Sequence, residues 1–561
     1  MKNKNVHFVF LIIPLVFFIY SSSLKEYQGP YYTNSLYDPS YVYLISSLNL
    51  AQMSGYGVGH IDHPGTPVQI IGAVILKLSF LFGGNDETMV NEVLKNPEKY
   101  MSLIEFVFLI INCIGLFILG LVSYKIYSRV SVSMLLQLTS FTSVTILALT
   151  TLLRPENFLI FVVCIFISAL ILFVNEKNLN AKKYFRYLIL LGVISGLGIA
   201  TKITFFPLMI IPLFLFREVK FKLFFIISVI ISFIVFTIPA ISSHNVYYFG
   251  EWVYNLFIHN KKYGKGESTI IDFNSYLYKI KMIINKEWIF DLAYFMNFLA
   301  ILIYLISRSG NYMTQSSNKF LKNAGNLVNQ LNLKTIKVFD FILVTGLFLA
   351  MSLQILIVAK HYGDYYMFPA LLLSVFSIFI SISVFSESLQ IKLLLKNMST
   401  VYFSILILIF VYGTLSFYSY GNYLKNLTSE SNKMIDFMKN YSGQDIVVST
   451  HHVPGPEFAL FTGTSYAMSQ RVRYNSILYS KYPMDYFYQD NDCYSFNPDT
   501  SVIRDSFKSA DKIILLCGGE DYAEGFKILL NKKFEYSNAV FEKIFRNGNG
   551  EMVYEINLNN H

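Results

Sequence analysis

The sequence predicts a polytopic α-helical membrane protein that carries a small α/β domain at its C-terminal end. Three observations predict it. The chain of 561 residues is 54% hydrophobic and 14% charged, with a mean hydropathy of +0.46, whereas soluble domains carry about 25% charged residues. Its apolar residues fall in uninterrupted runs, several as long as the ~20 residues that cross a bilayer. After residue 421 those runs stop and short alternating elements begin. The 51 Phe and 41 Tyr exclude a disordered or fibrous chain. The net charge of +9 is spread between the apolar runs rather than gathered on one face, so the expected partner is the lipid bilayer and not nucleic acid.

Read with a window of about 19 residues, the runs give about eleven transmembrane helices. They lie near 6–24, 102–124, 132–152, 156–175, 187–201, 203–216, 222–242, 290–306, 339–359, 366–386 and 400–420. The runs 187–201 and 203–216 are short and parted only by Thr201-Lys202, which reads as a tight hairpin with its tip at the far interface. With a cytoplasmic N-terminus, the inside segments hold 18 Lys/Arg in 72 residues, and the outside segments before residue 421 hold 13 in 135. That is the positive-inside bias, and an odd number of spans then puts the chain after 421 outside. No small-x-small cleavage site follows Ser21-Ser22-Ser23, so the run 6–24 reads as an anchor rather than a signal peptide. The expected setting is a multi-pass protein of a bacterial inner membrane, with the endoplasmic reticulum as the alternative. Residues 1–420 form its transmembrane domain, with a first outside loop at 25–101, and residues 421–561 form an extracytoplasmic domain.

In that second domain the pattern predicts a helix near 428–440, a strand Asp445–Ser449, a helix opening at Pro456, a strand Lys512–Cys517 and a helix 520–531. Two β-type runs, 534–546 and 551–557, flank Asn547-Gly548-Asn549-Gly550, a hairpin turn by composition. Cys113 and Cys164 fall inside spans and read as small buried hydrophobes. Cys493 and Cys517 both fall in the outside domain, where a disulfide between them is open, although spacing alone does not bring their Cα atoms together.

Five outside segments carry residues suited to chemistry. The first loop reads Tyr37-Asp38-Pro39-Ser40-Tyr41, a helical stretch to Met53, then His60-Ile61-Asp62-His63-Pro64-Gly65-Thr66-Pro67. The apolar run 68–82 after it is short for a span and fits an interfacial or re-entrant helix. Asp38 before Pro39 is also what a helix N-cap with proline at N1 looks like. The others are Arg154-Pro155-Glu156-Asn157 at the start of the fourth span, Thr201-Lys202, Lys360-His361-Tyr362-Gly363-Asp364-Tyr365-Tyr366, and Lys261, Lys262 and Lys265 in the loop 243–289. Each alone reads more readily as a cap or a snorkelling side chain; together on one side of a membrane they suit one chemistry. A carboxylate that removes a proton from an acceptor hydroxyl, beside cations that hold a departing phosphate, is the equipment for transfer from a lipid-linked phosphate donor.

These residues resemble the GT-C glycosyltransferases, the group that includes protein O-mannosyltransferases and the lipid A aminoarabinose transferase. The resemblance rests on an Asp early in the first outside loop followed by a helix (Asp38, Tyr41), on His63-Pro64-Gly65-Thr66-Pro67 before an apolar helix, and on Glu156 opening the fourth span. It also rests on Gly198-Ile199-Ala200-Thr201-Lys202, on the Tyr365 to Pro369 segment and on the C-terminal domain. Asp38-Pro39 stands where the family often has Asp-Glu, and Gly65-Thr66 replaces a second proline. The resemblance implies transfer, with inversion, from a polyprenyl-phosphate sugar to a protein, lipid or glycan acceptor. Asp38 would be the general base, with Glu156 in the catalytic set. Lys202, His63, His60, Lys360 and His361 would bind the donor phosphate, and Tyr41, Arg154 and Tyr365 would position substrate. No cofactor is assigned with this reading; a divalent metal is compatible with it, and His60, Asp62 and His63 carry ligand types close together, although the first loop reads more readily as a polar loop that binds an anion or orients Asp38. The alternative is a transporter or flippase for a lipid-linked saccharide. Against it, the ionisable residues gather at one face, whereas transport sites lie near the midplane.

Overall fold

The structure is a computed structural model that describes residues 6–33, 37–53, 58, 60, 64–83, 88–178, 180–243, 273–314, 338–360, 363–388, 398–439, 446–467, 471–497, 499, 501–510, 512–536 and 538–558. Among these residues nine helices are long and apolar enough to cross a membrane, and the chain is a multi-pass membrane protein. A helical turn Val6–Val9 leads into α1 (Ile12–Gln28). The following loop holds α2 (Tyr37–Ala51), α3 (Thr66–Gly83) and α4 (Met89–Lys95). Next come α5 (Pro97–Tyr127), α6 (Val130–Gln137), α7 (Val144–Leu149), α8 (Pro155–Val174) and α9 (Ala181–Thr201). Proline opens α5 and α8 at a position that needs no amide donor, and the Asn180 side chain caps α9 by accepting from Lys183 N–H at 2.9 Å. The bundle continues with α10 (Ile210–Leu215), α11 (Val219–Ser243), α12 (Phe273–Lys286), α13 (Trp288–Thr314), α14 (Val338–Lys360), α15 (Phe368–Ser388) and α16 (Met398–Met438).

Two of the eleven apolar runs are not single long helices. The run 132–152 breaks into α6, a 3₁₀ turn Leu138–Phe141, and α7. Its break is rich in hydroxyls that take backbone partners elsewhere: Thr139 donates to Leu372 O, Thr142 donates to Leu371 O at 3.2 Å, and Ser143 caps α7. The run 203–216 begins as a 3₁₀ turn, Ile203–Met209, containing Pro207, and passes into the short α10 containing Pro212. Two prolines within six residues remove the donors that a regular helix would use. The 68–82 run is the 18-residue α3; its Val74, Leu78, Leu81 and Phe82 are exposed, as the apolar face of an interfacial helix would be.

The C-terminal residues form a six-stranded mixed sheet from β1 (Ile446–Ser449), β2 (Asp485–Gln489), β3 (Asp492–Ser495), β4 (Lys512–Cys517), β5 (Val540–Arg546) and β6 (Met552–Asn557). The order is β3-β2-β1-β4-β6-β5, with β1 parallel to both β2 and β4 and the other pairs antiparallel. Its helices are α17 (Pro456–Tyr466), α18 (Arg471–Lys481), α19 (Ser501–Ser509) and α20 (Glu520–Phe534). β4 is apolar on both faces because both are covered. Ile513, Leu515 and Cys517 pack with Phe507, Phe526 and Leu530, while Ile514 and Leu516 pack with Met434 near the end of α16. The 41-residue α16 therefore runs from the membrane bundle into the core of the sheet. The expected Asn547–Gly550 turn grips it there: Asn547 Nδ2 donates to Glu430 O at 2.8 Å and Asn549 Nδ2 donates to Leu427 O at 2.8 Å. Sequence pattern missed α18, β2, β3 and α19. The Cys493–Cys517 disulfide does not form: both are buried free thiols. They lie on β3 and β4, three strand spacings apart, or about 14 Å, which a disulfide does not span.

Candidate active site

Glu156 and Lys202 meet where two membrane helices end. Arg154 is the extended N-cap residue of α8, Pro155 follows at N1, and Glu156 occupies the first turn. Lys202 is the extended C-cap of α9; its N–H donates to Gly198 O at 2.8 Å. The Lys202 ammonium donates to Glu156 Oε1, and the two side chains are 1% and 2% exposed. The ring of Tyr365 lies 4.8 Å from Lys202 Nζ, and that of Tyr366 lies 5.1 Å away. The Arg154 guanidinium sits 5.8 Å from the Tyr365 ring, and its buried Nε has no hydrogen-bond partner among the described residues. Two cations against one carboxylate leave a positive excess, walled by aromatic faces that strengthen it by excluding water.

The first loop reaches this cluster directly. Pro64 forms an antiparallel bridge with Lys202. Gly65 follows with φ +71, and a Cβ there would overlap the Tyr43 ring, so only glycine lets the backbone lie against α2 here. His60 packs edge-on against the same ring at 5.6 Å, while its carbonyl accepts from Gln69 Nε2 at 2.9 Å. Pro64 and Gly65 therefore connect Lys202 to α2, whose first turn carries Asp38. Asp38 has φ −94 and ψ 122, a non-helical backbone ahead of Pro39, and its side chain is exposed. Tyr43, five residues on, stands ~8 Å further along the helix axis.

The sheet domain covers the other side of α2. A Cβ on Gly463 of α17 would meet the Tyr41 backbone at 3.1 Å. Tyr474 O–H donates to Asn49 Oδ1 at 2.6 Å and accepts from Gln52 Nε2 at 2.7 Å. His451, in the turn after β1, lies in the electrostatic reach of Asp38. Burial and the neighbouring His452 hold its imidazole below the usual histidine range, while Asp490 and Asp38 pull it upward. Sequence reasoning missed His451, because nothing in the linear chain links residue 451 to residue 38.

Some of the expected site residues meet partners that the sequence did not suggest. Lys202 does not stand alone at a hairpin tip; it is neutralised by Glu156. The Tyr41 O–H donates to Glu98 Oε1 at 2.7 Å, and the side chain is fully buried. Burial and the Glu98 charge push that phenol's pKa well up, so it remains a donor. Arg154, Glu156, Lys202 and Tyr365 do come together. His63, His361 and the 261–265 lysines lie outside the described residues, as does the side chain of Lys360. Lys286 of that last loop pairs with Asp364 at 2.6 Å, next to Tyr365. Among the described residues no group of three or more His, Cys, Asp or Glu side chains is placed to hold a metal ion.

No protein-family model matches the chain, and no curated protein matches it. Among solved structures, the crystal structure of ArnT from Cupriavidus metallidurans bound to undecaprenyl phosphate aligns with a TM-score of 0.46 and 10% identity, covering 98% of this chain and 97% of that one. The apo form of the same protein aligns with a TM-score of 0.42 and 9% identity, over 92% of this chain and 93% of that one. At this level of likeness neither structure says what this chain binds, and the chemistry of the site rests on its own side chains.

Proposed function

We propose that the chain is an integral-membrane glycosyltransferase of GT-C type, moving a sugar with inversion from a polyprenyl-phosphate donor to a hydroxyl on the extracytoplasmic side of a bacterial inner membrane. The observation that carries this reading is the cluster of Arg154, Glu156 and Lys202 against Tyr365 and Tyr366. A positive excess held rigidly at the end of a membrane bundle suits a phosphate that gains charge as it leaves. In this reading Arg154 meets the phosphate oxygens, while Glu156 fixes the position of the Lys202 ammonium. Asp38 takes the acceptor proton as the hydroxyl oxygen bonds to the anomeric carbon and the phosphate departs with the electron pair of the broken bond. A lipid chain has somewhere to lie: a cavity of about 800 Å³ opens between α10, α12, α13 and α14, lined by Ile210, Leu213, Ile283, Leu349 and Leu353. The 3₁₀ turn that joins Lys202 to α10 packs on α14.

The test compares binding of a polyprenyl phosphate and of the polyprenyl alcohol of equal chain length to the purified protein. The phosphate should bind at least tenfold more tightly, and Arg154→Ala should remove most of that difference, since a desolvated charge contact is worth about 2–5 kcal/mol. Equal affinity for alcohol and phosphate in the unaltered protein would overturn the reading.

A further inference from the structure

The segment that carries Asp38 is held at two points by one carboxylate. Glu98, in the first turn of α5, accepts from Tyr31 N–H through Oε2 at 2.7 Å and from the Tyr41 O–H through Oε1 at 2.7 Å. One contact is seven residues before Asp38 and the other three residues after it. The anchor is itself backed. Tyr31 donates its phenol to Glu105, which lies seven residues beyond Glu98 and hence on the same face of α5. The Lys25 ammonium sits 3.5 Å over the Tyr31 ring and donates to Gly29 O at 2.6 Å. On the far side, Gly463 of α17 allows the sheet domain to close onto the Tyr41 backbone. Tyr41 is thus fixed from two directions, one turn into the helix that Asp38 begins.

We propose that Glu98 is the positioning residue for Asp38: it ties the start of α2 to the membrane helix α5 and so sets where the Asp38 carboxylate meets the acceptor hydroxyl. This rests on the assignment of Asp38 as general base. A side chain that acts only by aiming the base leaves donor binding alone and slows turnover, because displacing a reacting group by about 1 Å can cost on the order of 100-fold.

The experiment measures sugar transfer under single-turnover conditions and polyprenyl-phosphate affinity for Glu98→Ala, Glu98→Gln, Tyr41→Phe and Asp38→Asn, and for Asp38→Asn combined with Glu98→Ala. Glu98→Ala should lose about 100-fold in rate with affinity within twofold. Glu98→Gln, which keeps one acceptor oxygen, should lose less. The combined variant should be no slower than Asp38→Asn alone within about threefold, because a misaimed base and an absent base fail in the same way. If Glu98→Ala does not fold, Tyr41→Phe removes one of the two ties and should still slow transfer several-fold at unchanged affinity. A wild-type rate in Glu98→Ala or, where that variant does not fold, in Tyr41→Phe overturns the proposal, as does an equal fold loss from Glu98→Ala with and without the Asp38 carboxylate. A wild-type rate in Asp38→Asn is a different failure: it removes the base assignment itself.

Discussion

Two clusters of ionisable side chains flank the helix that begins at Asp38, one richer in basic groups and the other in carboxyls. On one side Arg154 and Lys202 outnumber Glu156; on the other Glu98 and Glu105 outnumber Lys25. The first joins the ends of α8 and α9 to Pro64 of the first loop, and the second joins α1 and α5 to the start of α2. In the proposed transfer their difference would divide the labour. There the basic end suits the leaving phosphate, and the carboxyl-rich end holds the helix whose first turn carries Asp38.

Lys202→Ala should have the largest effect on the folded state. It strands the Glu156 carboxylate in a site 2% exposed, and breaking a buried pair costs about 3–5 kcal/mol. The melting temperature should fall steeply, and pairing Lys202→Met with Glu156→Gln should restore most of it without restoring polyprenyl-phosphate affinity. A wild-type melting temperature for Lys202→Ala would dissolve the contrast, because the cationic cluster would then not be a buried pair.

A smaller effect concerns pH and the domain that covers α2. In the first turn of α17, burial and then the nearby Asp485 push the Glu457 carboxyl up to about 7; burial pushes Asp485 up to about 6. A carboxyl with a raised folded pKa holds its proton more tightly when folded than unfolded. Stability is therefore fully present below the unfolded Glu value, about 4.3, and declines as pH rises through about 7. Melting curves between pH 5 and pH 8 should show that decline, and Glu457→Gln should flatten it. A pH-independent wild-type curve would contradict the upward shift of this pair. The smallest effect is a null one. With Cys493 and Cys517 on strands three spacings apart, adding a thiol reductant should not move the melting temperature, and a drop of several degrees would place a disulfide where the sheet has none.

Much of the bundle was legible in the sequence because long apolar runs have few other fates in water. The strands β1, β4, β5 and β6 were legible because apolar runs and a two-glycine turn mark them. β2 and β3 were not: their tyrosines and aspartates, Asp485, Tyr486, Tyr488, Asp492 and Tyr494, give no clean alternation. Arg154, Glu156, Lys202 and Tyr365 were picked out as ionisable or aromatic groups at span ends, but their mutual pairing was not, since residues 46 and 163 positions apart meet only after the helices pack. The same limit hid Glu98. In the chain it looks like an ordinary acid in a helix's first turn, and its partners at 31 and 41 become visible only when the loop is folded back onto α5.

The central claim is that Asp38 removes the acceptor proton. Its extended backbone before Pro39 also fits a helix N-cap, and asparagine caps nearly as well as aspartate, so Asp38→Asn separates the two roles. The measurement is single-turnover sugar transfer by Asp38→Asn with polyprenyl-phosphate sugar bound at saturation. We predict a fall of about 100-fold or more, with donor affinity and melting temperature near wild type. A wild-type rate would contradict the account and leave Asp38 as a helix cap.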